Sequence, residues 1–179
     1  ELEGGQLVIP GNVSSQYVSA LLMIAPILAK GLDLKLTGEI VSRPYIDLTL
    51  HIMHEFGVAA EWTNFDTISV KPQQYTRRTY TIENDWTAAS YWYEILALQD
   101  DLDAEVVISG LKDGSRQGDA AVRYIFSLLG IKTNFARKDT EGLTDATLTR
   151  HTRMLNRMDY DFINHPDLAQ TLIAACPVL

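Results

Sequence analysis

Gly11-Asn12-Val13-Ser14-Ser15-Gln16-Tyr17 sets two hydroxyls and a carboxamide directly in front of an apolar run in which Val18, Leu21, Leu22, Ala25 and Leu28 share one helical face. The first N–H groups of such a helix lack intrahelical acceptors and carry the positive end of its dipole. With short hydroxyl side chains beside them they form a site for an anion such as a phosphate, although a serine here can also serve only as the helix cap. Ser42-Arg43-Pro44-Tyr45 repeats the arrangement, with Ser42 at the cap position and Pro44 in the first turn. Asn164-His165-Pro166-Asp167 is a third polar entrance. Its Asp167 brings a carboxylate suited either to proton transfer with a hydroxyl or to complementing a helix N-terminus. If the three entrances meet at one cleft, Ser14, Ser15 and Ser42 offer hydroxyls to a phosphate and Arg43 supplies nearby charge. Gln16 and Tyr45 would then orient the rest of the ligand, though Tyr45 can equally lie along a helix edge.

Other chemistry is poorly served. His51 and His54 lie three apart on a helix, a spacing that can bind metal, but no third ligand is evident. Cys176 stands in an apolar run and reads as a core thiol rather than a nucleophile. No phosphate-loop or dinucleotide fingerprint occurs, since the glycines from Gly110 to Gly118 have the wrong spacing. A net charge of −8, without any run of lysines or arginines, argues against a nucleic-acid surface, so a bound phosphate must be held locally. No apolar stretch reaches membrane length, and a single cysteine excludes an internal disulfide. A reducing, cytoplasmic setting is the expectation.

These side chains need elements to hold them. Gln6 to Pro10 reads as a strand closed by the Pro10-Gly11 turn. The helix after it is expected to run toward Lys30-Gly31, with Pro26 placed to kink it or end it earlier. Leucine alternation from Leu32 to Leu36 predicts a half-buried strand. Ile46, Leu50 and Met53 give a second helix its inward stripe, and Val58–Trp62 with Thr67–Val70 reads as a hairpin.

The order then starts again. A strand is expected over Thr79–Ile82, and a helix over Ala88–Leu98 behind the entrance Glu83-Asn84-Asp85-Trp86-Thr87. A strand over Ala104–Ser109 and a helix over Gly118–Leu129 follow. Ser19 and Ser90 are 71 residues apart, Gly38 and Gly110 72, and Gly57 and Gly130 73, which indicates one supersecondary unit repeated. A third copy is expected after Thr147-Leu148-Thr149. The fold class is therefore α/β (α+β) with βαβαββ units: residues 1–74 form one, and residues 75–179 form the next with the start of a third, divided where Pro72 to Arg78 interrupts the apolar pattern. Glu1 opens without an initiator methionine and Leu179 closes inside an apolar run, so a piece of a longer protein is expected.

Gly11 to Leu22, Ser42-Arg43-Pro44-Tyr45-Ile46-Asp47-Leu48-Thr49, Gln117-Gly118-Asp119 and Pro166-Asp167, in that order, resemble the EPSP synthase (3-phosphoshikimate 1-carboxyvinyltransferase) family across nearly the whole chain. The first two motifs are specific and the last two are weak alone. The resemblance implies six βαβαββ repeats in two domains, this chain carrying the last repeat of one domain and the beginning of the other. It implies transfer of the enolpyruvyl group of phosphoenolpyruvate to the 5-hydroxyl of shikimate 3-phosphate by a monomeric enzyme, with no metal or organic cofactor. Position by position, Ser14, Ser15, Gln16, Ser42 and Tyr45 would bind shikimate 3-phosphate, and Gln16 would also lie near phosphoenolpyruvate. Asp167 would be the catalytic carboxylate at the 5-hydroxyl. His165 departs from the aliphatic residue expected before Pro166. The family's early lysine-serine segment and its later lysine, glutamate and arginine positions have no counterpart here, so the fragment alone is expected to be inactive. The alternatives are the related UDP-N-acetylglucosamine enolpyruvyl transferase, whose cysteine loop is absent from this sequence, and a non-catalytic repeat scaffold.

Overall fold

The computed structural model describes residues 2–137, 142–152, 155 and 157–176. The chain divides into two compact units, Glu1–Tyr80 and Thr81–Leu179. In the first, β1 (Gly5–Pro10), α1 (Ser15–Ile24), β2 (Leu32–Thr37), α2 (Arg43–Glu55), β3 (Ala60–Asn64) and β4 (Thr67–Val70) build a sheet of order β1-β2-β4-β3. β1 and β2 run parallel, in register from Gly5↔Leu32 to Pro10↔Thr37, with α1 as the crossover between them. β4 is antiparallel to both of its neighbours. The period-two pattern of β2 buries Leu32, Leu34 and Leu36 on one face, where Ile68 and Val70 of β4 join them. Val18 and Leu22 of α1 and Ile46, Leu50 and Met53 of α2 cover that face. A fully buried leucine such as Leu34 contributes about 1.5–3 kcal/mol to this core.

α1 stops at Ile24, short of the Lys30-Gly31 end expected from the sequence, and a 3-10 turn over Ala25–Ile27 follows. Pro26 is the cause: it has no N–H for an intrahelical bond, and its ring crowds the preceding turn. The segment after β4 docks back on its own unit. Gln73 N–H donates to the Pro26 carbonyl, Tyr75 Oη to the Met23 carbonyl, and Arg78 pairs with Glu55 at 2.6 Å.

The second unit contains α3 (Trp86–Ala97), β5 (Glu105–Lys112), α4 (Val122–Leu128), β6 (Ile131–Arg137), β7 (Leu143–Arg150) and α5 (Ala169–Ala175). Its sheet has the order β5-β7-β6, all antiparallel, which repeats β2-β4-β3 of the first unit. Trp86, Tyr93, Phe126, Leu111 and Leu148 form the centre of its core. Gly110, at φ 80°, sits in a bulge between Ser109 and Leu111 that shifts the inward face from Val106 and Ile108 to Leu111. A β-carbon there would lie 2.7 Å from Asn84 Nδ2, so a side chain would both strain the backbone and displace the Asn84 amide from the Ser109 carbonyl.

Several local expectations change in this unit. Thr79–Ile82 is not a strand. Arg78 just before it is tied to Glu55, Tyr80 within it packs on Phe56, and Asn84 N–H just beyond it donates to the Gly110 carbonyl. Alternation without a ladder partner does not make a strand. The helix expected over Gly118–Leu129 begins as a 3-10 turn, Gly118–Ala121, because Asp119 turns its side chain into the interior, leaving α4 to start at Val122. Thr147-Leu148-Thr149 lies inside β7. Cys176, expected in the core, is exposed just beyond α5. The α/β class is the one the sequence predicts.

Candidate functional site

β1 and β2 are parallel neighbours, so the helices that follow them begin at the same edge of the sheet, beyond the carboxyl ends of the strands. Backbone bonds tie the two entrances together. Gly11 N–H donates to the Thr37 carbonyl at 2.7 Å, and Val41 N–H donates to the Gly11 carbonyl at 3.2 Å. A β-carbon at position 11 would lie 2.8 Å from the Glu39 carbonyl oxygen, so glycine is what lets the loops close. Ser14 caps α1, its Oγ accepting a 3.3 Å bond from Gln16 N–H. Ser14 and Gln16 are exposed and Ser15 is half-buried.

Ser42 stands differently from its expected role. It has left-handed backbone, φ 55° and ψ 34°, is 9% exposed, and makes no side-chain cap bond to α2. It is the one non-glycine residue with positive φ among those described, and such strain is held in place only where surrounding structure fixes it, commonly at functional sites. Neither α1 nor α2 has an acidic residue in its first turn, so no first-turn carboxylate offsets either dipole. Arg43, expected to lend charge to that anion, is committed elsewhere: its guanidinium lies 3.8 Å from the centre of the Trp62 ring and donates to the Phe65 carbonyl. Tyr45 occupies the first turn of α2 and is half-buried; its carbonyl accepts from Thr49, whose hydroxyl also bonds Ser19 of α1 at 2.8 Å.

In the second unit the corresponding entrance is closed by the chain's own groups. Asp85 caps α3 through Thr87 N–H, and Gln117 Oε1 accepts from Trp86 N–H while its Nε2 donates to the Asn84 carbonyl. Glu83 accepts from Ser115 Oγ and from Lys112 N–H. Asp119 is 1% exposed and accepts from the Thr87 hydroxyl. Asp167 lies further along, exposed in a 3-10 turn over Pro166–Leu168 that leads into α5. Just before it, Tyr160 Oη and His165 Nδ1 are 2.9 Å apart. Burial pushes the Tyr160 phenol up, helped by Asp119 and Asp161, and pushes His165 below its ordinary value against the pull of Asp119.

The chain matches the sequence profile of the family described as EPSP synthase (3-phosphoshikimate 1-carboxyvinyltransferase) over residues 1–177. The chain belongs to the EPSP synthase family. A Bacteroides fragilis relative named 3-phosphoshikimate 1-carboxyvinyltransferase is 48% identical over 179 residues, which are 100% of this chain and 42% of that protein. A relative of the same name from Sulfurovum is 34% identical over 173 residues, 96% of this chain and 38% of its own length. The chain thus spans less than half the length of these EPSP synthase relatives. A solved EPSP synthase from Acinetobacter baumannii shares the fold, with a TM-score of 0.67 at 17% identity over 98% of this chain and 38% of that one.

Of the residues singled out from the sequence, Ser14, Ser15, Gln16, Ser42 and Tyr45 all lie at the α1 and α2 entrances of the first unit, and Asp167 lies in the second. Sequence reasoning missed the roles of Glu83, Thr87 and Gln117 in closing the α3 entrance and the pairing of Tyr160 with His165. The polar run Glu83 to Thr87 was the available signal for the first group. Tyr160 and His165, five apart on either side of a turn, gave none. Among the described residues, no group of three or more His, Cys, Asp or Glu is placed to hold a metal ion, and no helix is long and apolar enough to cross a membrane.

Proposed function

We propose that the whole protein transfers the enolpyruvyl group of phosphoenolpyruvate to the 5-hydroxyl of shikimate 3-phosphate, and that this chain supplies the seat for the acceptor's 3-phosphate. One observation carries the reading. Two serine-bearing helix entrances without first-turn carboxylates are tied side by side at the carboxyl ends of parallel strands, through the bond from Val41 N–H to the Gly11 carbonyl. Ser14 and Ser42 donate their hydroxyls to the phosphate, and Ser15 and the first-turn amides add further donors. Gln16 and Tyr45 fix the orientation of the ring. The 5-hydroxyl oxygen bonds to C2 of phosphoenolpyruvate while Asp167 takes the hydroxyl proton and C3 takes up a proton; loss of a proton from C3 together with inorganic phosphate then restores the double bond and completes the transfer. The reaction needs no group beyond these carboxylate and hydrogen-bond donors and the positions supplied by the rest of the protein.

The test is steady-state kinetics of the full-length protein with both substrates. A hydrogen bond to a charged group is worth about 1.5–3 kcal/mol, so Ser14→Ala and Ser42→Ala should each raise KM for shikimate 3-phosphate by tenfold or more, with a smaller change for phosphoenolpyruvate. Wild-type protein that forms no enolpyruvyl product, or alanine variants with unchanged KM, would refute the reading.

A further inference from the structure

We propose that Tyr160 and His165 are positioning residues for Asp167: a hydroxyl-to-imidazole bond locks the turn on which that carboxylate is mounted. The inference rests on the reading of Asp167 as the catalytic carboxylate. Asp167 sits in a three-residue 3-10 turn between His165, which precedes it as the cap residue, and α5. Downstream the turn is fixed by burial, since Leu168 is 1% exposed and the buried Thr171 hydroxyl donates to the Leu168 carbonyl. Upstream it has no such anchor. Pro166 has no N–H, and His165 makes no side-chain cap bond to the turn. The His165 ring instead turns back to Tyr160, with Oη and Nδ1 2.9 Å apart.

The loop between them closes on itself. His165 N–H donates to the Phe162 carbonyl, Leu168 N–H donates to the His165 carbonyl, and Ile163 N–H donates to Asp161 Oδ1. The Tyr160 ring meets Phe162 edge-on at 4.9 Å. The Tyr160–His165 bond adds a side-chain tie to these backbone bonds and ring packing on the upstream side of the turn.

The direction of the bond follows from chemistry. Burial and the charges of Asp119 and Asp161 keep the Tyr160 phenol protonated, and burial keeps His165 neutral. In the proposed lock the neutral ring accepts the phenol's hydrogen bond at Nδ1 and carries its own proton at Nε2. Asp119, buried and held by the Thr87 hydroxyl, is close enough to act on both groups, which links the α3 entrance to the turn electrostatically.

Two measurements test this. In the 179-residue chain, nitrogen NMR of the histidine rings should show His165 as the Nε2–H tautomer with a hydrogen-bonded Nδ1; Tyr160→Phe should erase the Nδ1 signature. In the full-length protein, Tyr160→Phe and His165→Leu should lower kcat about tenfold or more while KM for both substrates stays within about twofold, the pattern of a displaced reacting group. His165→Asn, whose Oδ1 can accept the same bond, should restore kcat to within about threefold of wild type. That rescue separates positioning from mere stability. An unchanged kcat in Tyr160→Phe, or an equal loss in His165→Asn and His165→Leu, overturns the proposal. Asp167→Asn is the control for the underlying reading: if it keeps wild-type kcat, Asp167 is not catalytic and the proposal falls with that assignment, whatever the Tyr160 and His165 variants do.

Discussion

The two units share a strand order and treat the first helix entrance in opposite ways. α1 starts at Ser14-Ser15-Gln16, with an exposed hydroxyl at the cap and no acidic residue in its first turn. α3 starts behind Asp85, with Glu83 and Gln117 bonded around it and Asp119 buried beside Thr87. The scaffold keeps its geometry in both places: Gly11 N–H donates to the Thr37 carbonyl in one and Asn84 N–H to the Gly110 carbonyl in the other, each at 2.7 Å. What differs is who complements the helix dipole. In the second unit the chain's own carboxylates do so, and in the first the position is the one proposed for a ligand. A shared β2-β4-β3 and β5-β7-β6 core can thus carry one entrance proposed for binding and one that the chain closes itself.

Making the first entrance resemble the second should produce the largest effect. Ser14→Asp puts a carboxylate where the phosphate is proposed to sit. Affinity of the full-length protein for shikimate 3-phosphate should fall about 100-fold by calorimetry, from one lost charge-assisted bond and one added repulsion. The thermal stability of the 179-residue chain should hold or rise slightly, by about 0.3–1 kcal/mol, because the new charge suits the helix N-terminus. A loss of both together would mean that the substitution disturbs the fold, and an unchanged affinity would mean that the phosphate does not sit at Ser14; either way the comparison fails.

How far the comparison could be read beforehand differs by residue. Leu32, Leu34 and Leu36 announced β2 because period-two burial is a property of the strand itself. Ser14 was legible as a cap for the same local reason. Ser42 was not, since its left-handed backbone follows from the closure of residues 38–42 onto Gly11, a contact far away in sequence. Arg43 was misread because Trp62, nineteen positions on, offers its guanidinium a ring face. Thr79–Ile82 alternates like a strand but lacks a ladder. The pairing of β6 with β7 escaped notice because Lys132, Thr133 and Asn134 dilute the apolar residues of β6, Ile131, Phe135 and Ala136. Cys176 was taken for core because an apolar run does not say which of its faces is outermost.

A smaller difference between the units should appear on acidification. His165 is depressed in the folded second unit, so between its lowered value and the ordinary 6.5 the unfolded chain binds more protons than the folded one. Its contribution is present above pH 6.5 and is lost as pH falls toward the depressed value. In the first unit Asp66 is lowered chiefly by the Thr67 hydroxyl bond, with Lys35 assisting, so its contribution is lost only below the ordinary 3.8. Amide exchange followed from pH 7 downward should therefore show second-unit amides losing protection first. His165→Gln should flatten that slope; an unaltered slope would place the sensitivity elsewhere.

The most direct test of the contrast between entrances is a phosphate titration of the 179-residue chain, followed amide by amide by NMR. Inorganic phosphate should shift the N–H signals of residues 15–17 and of Arg43 and Tyr45, with no change at residues 86–88 beyond that of distant control amides. Shifts concentrated at residues 86–88, or of equal size at both entrances, would contradict the claim that the first unit is open to an anion and the second has closed itself.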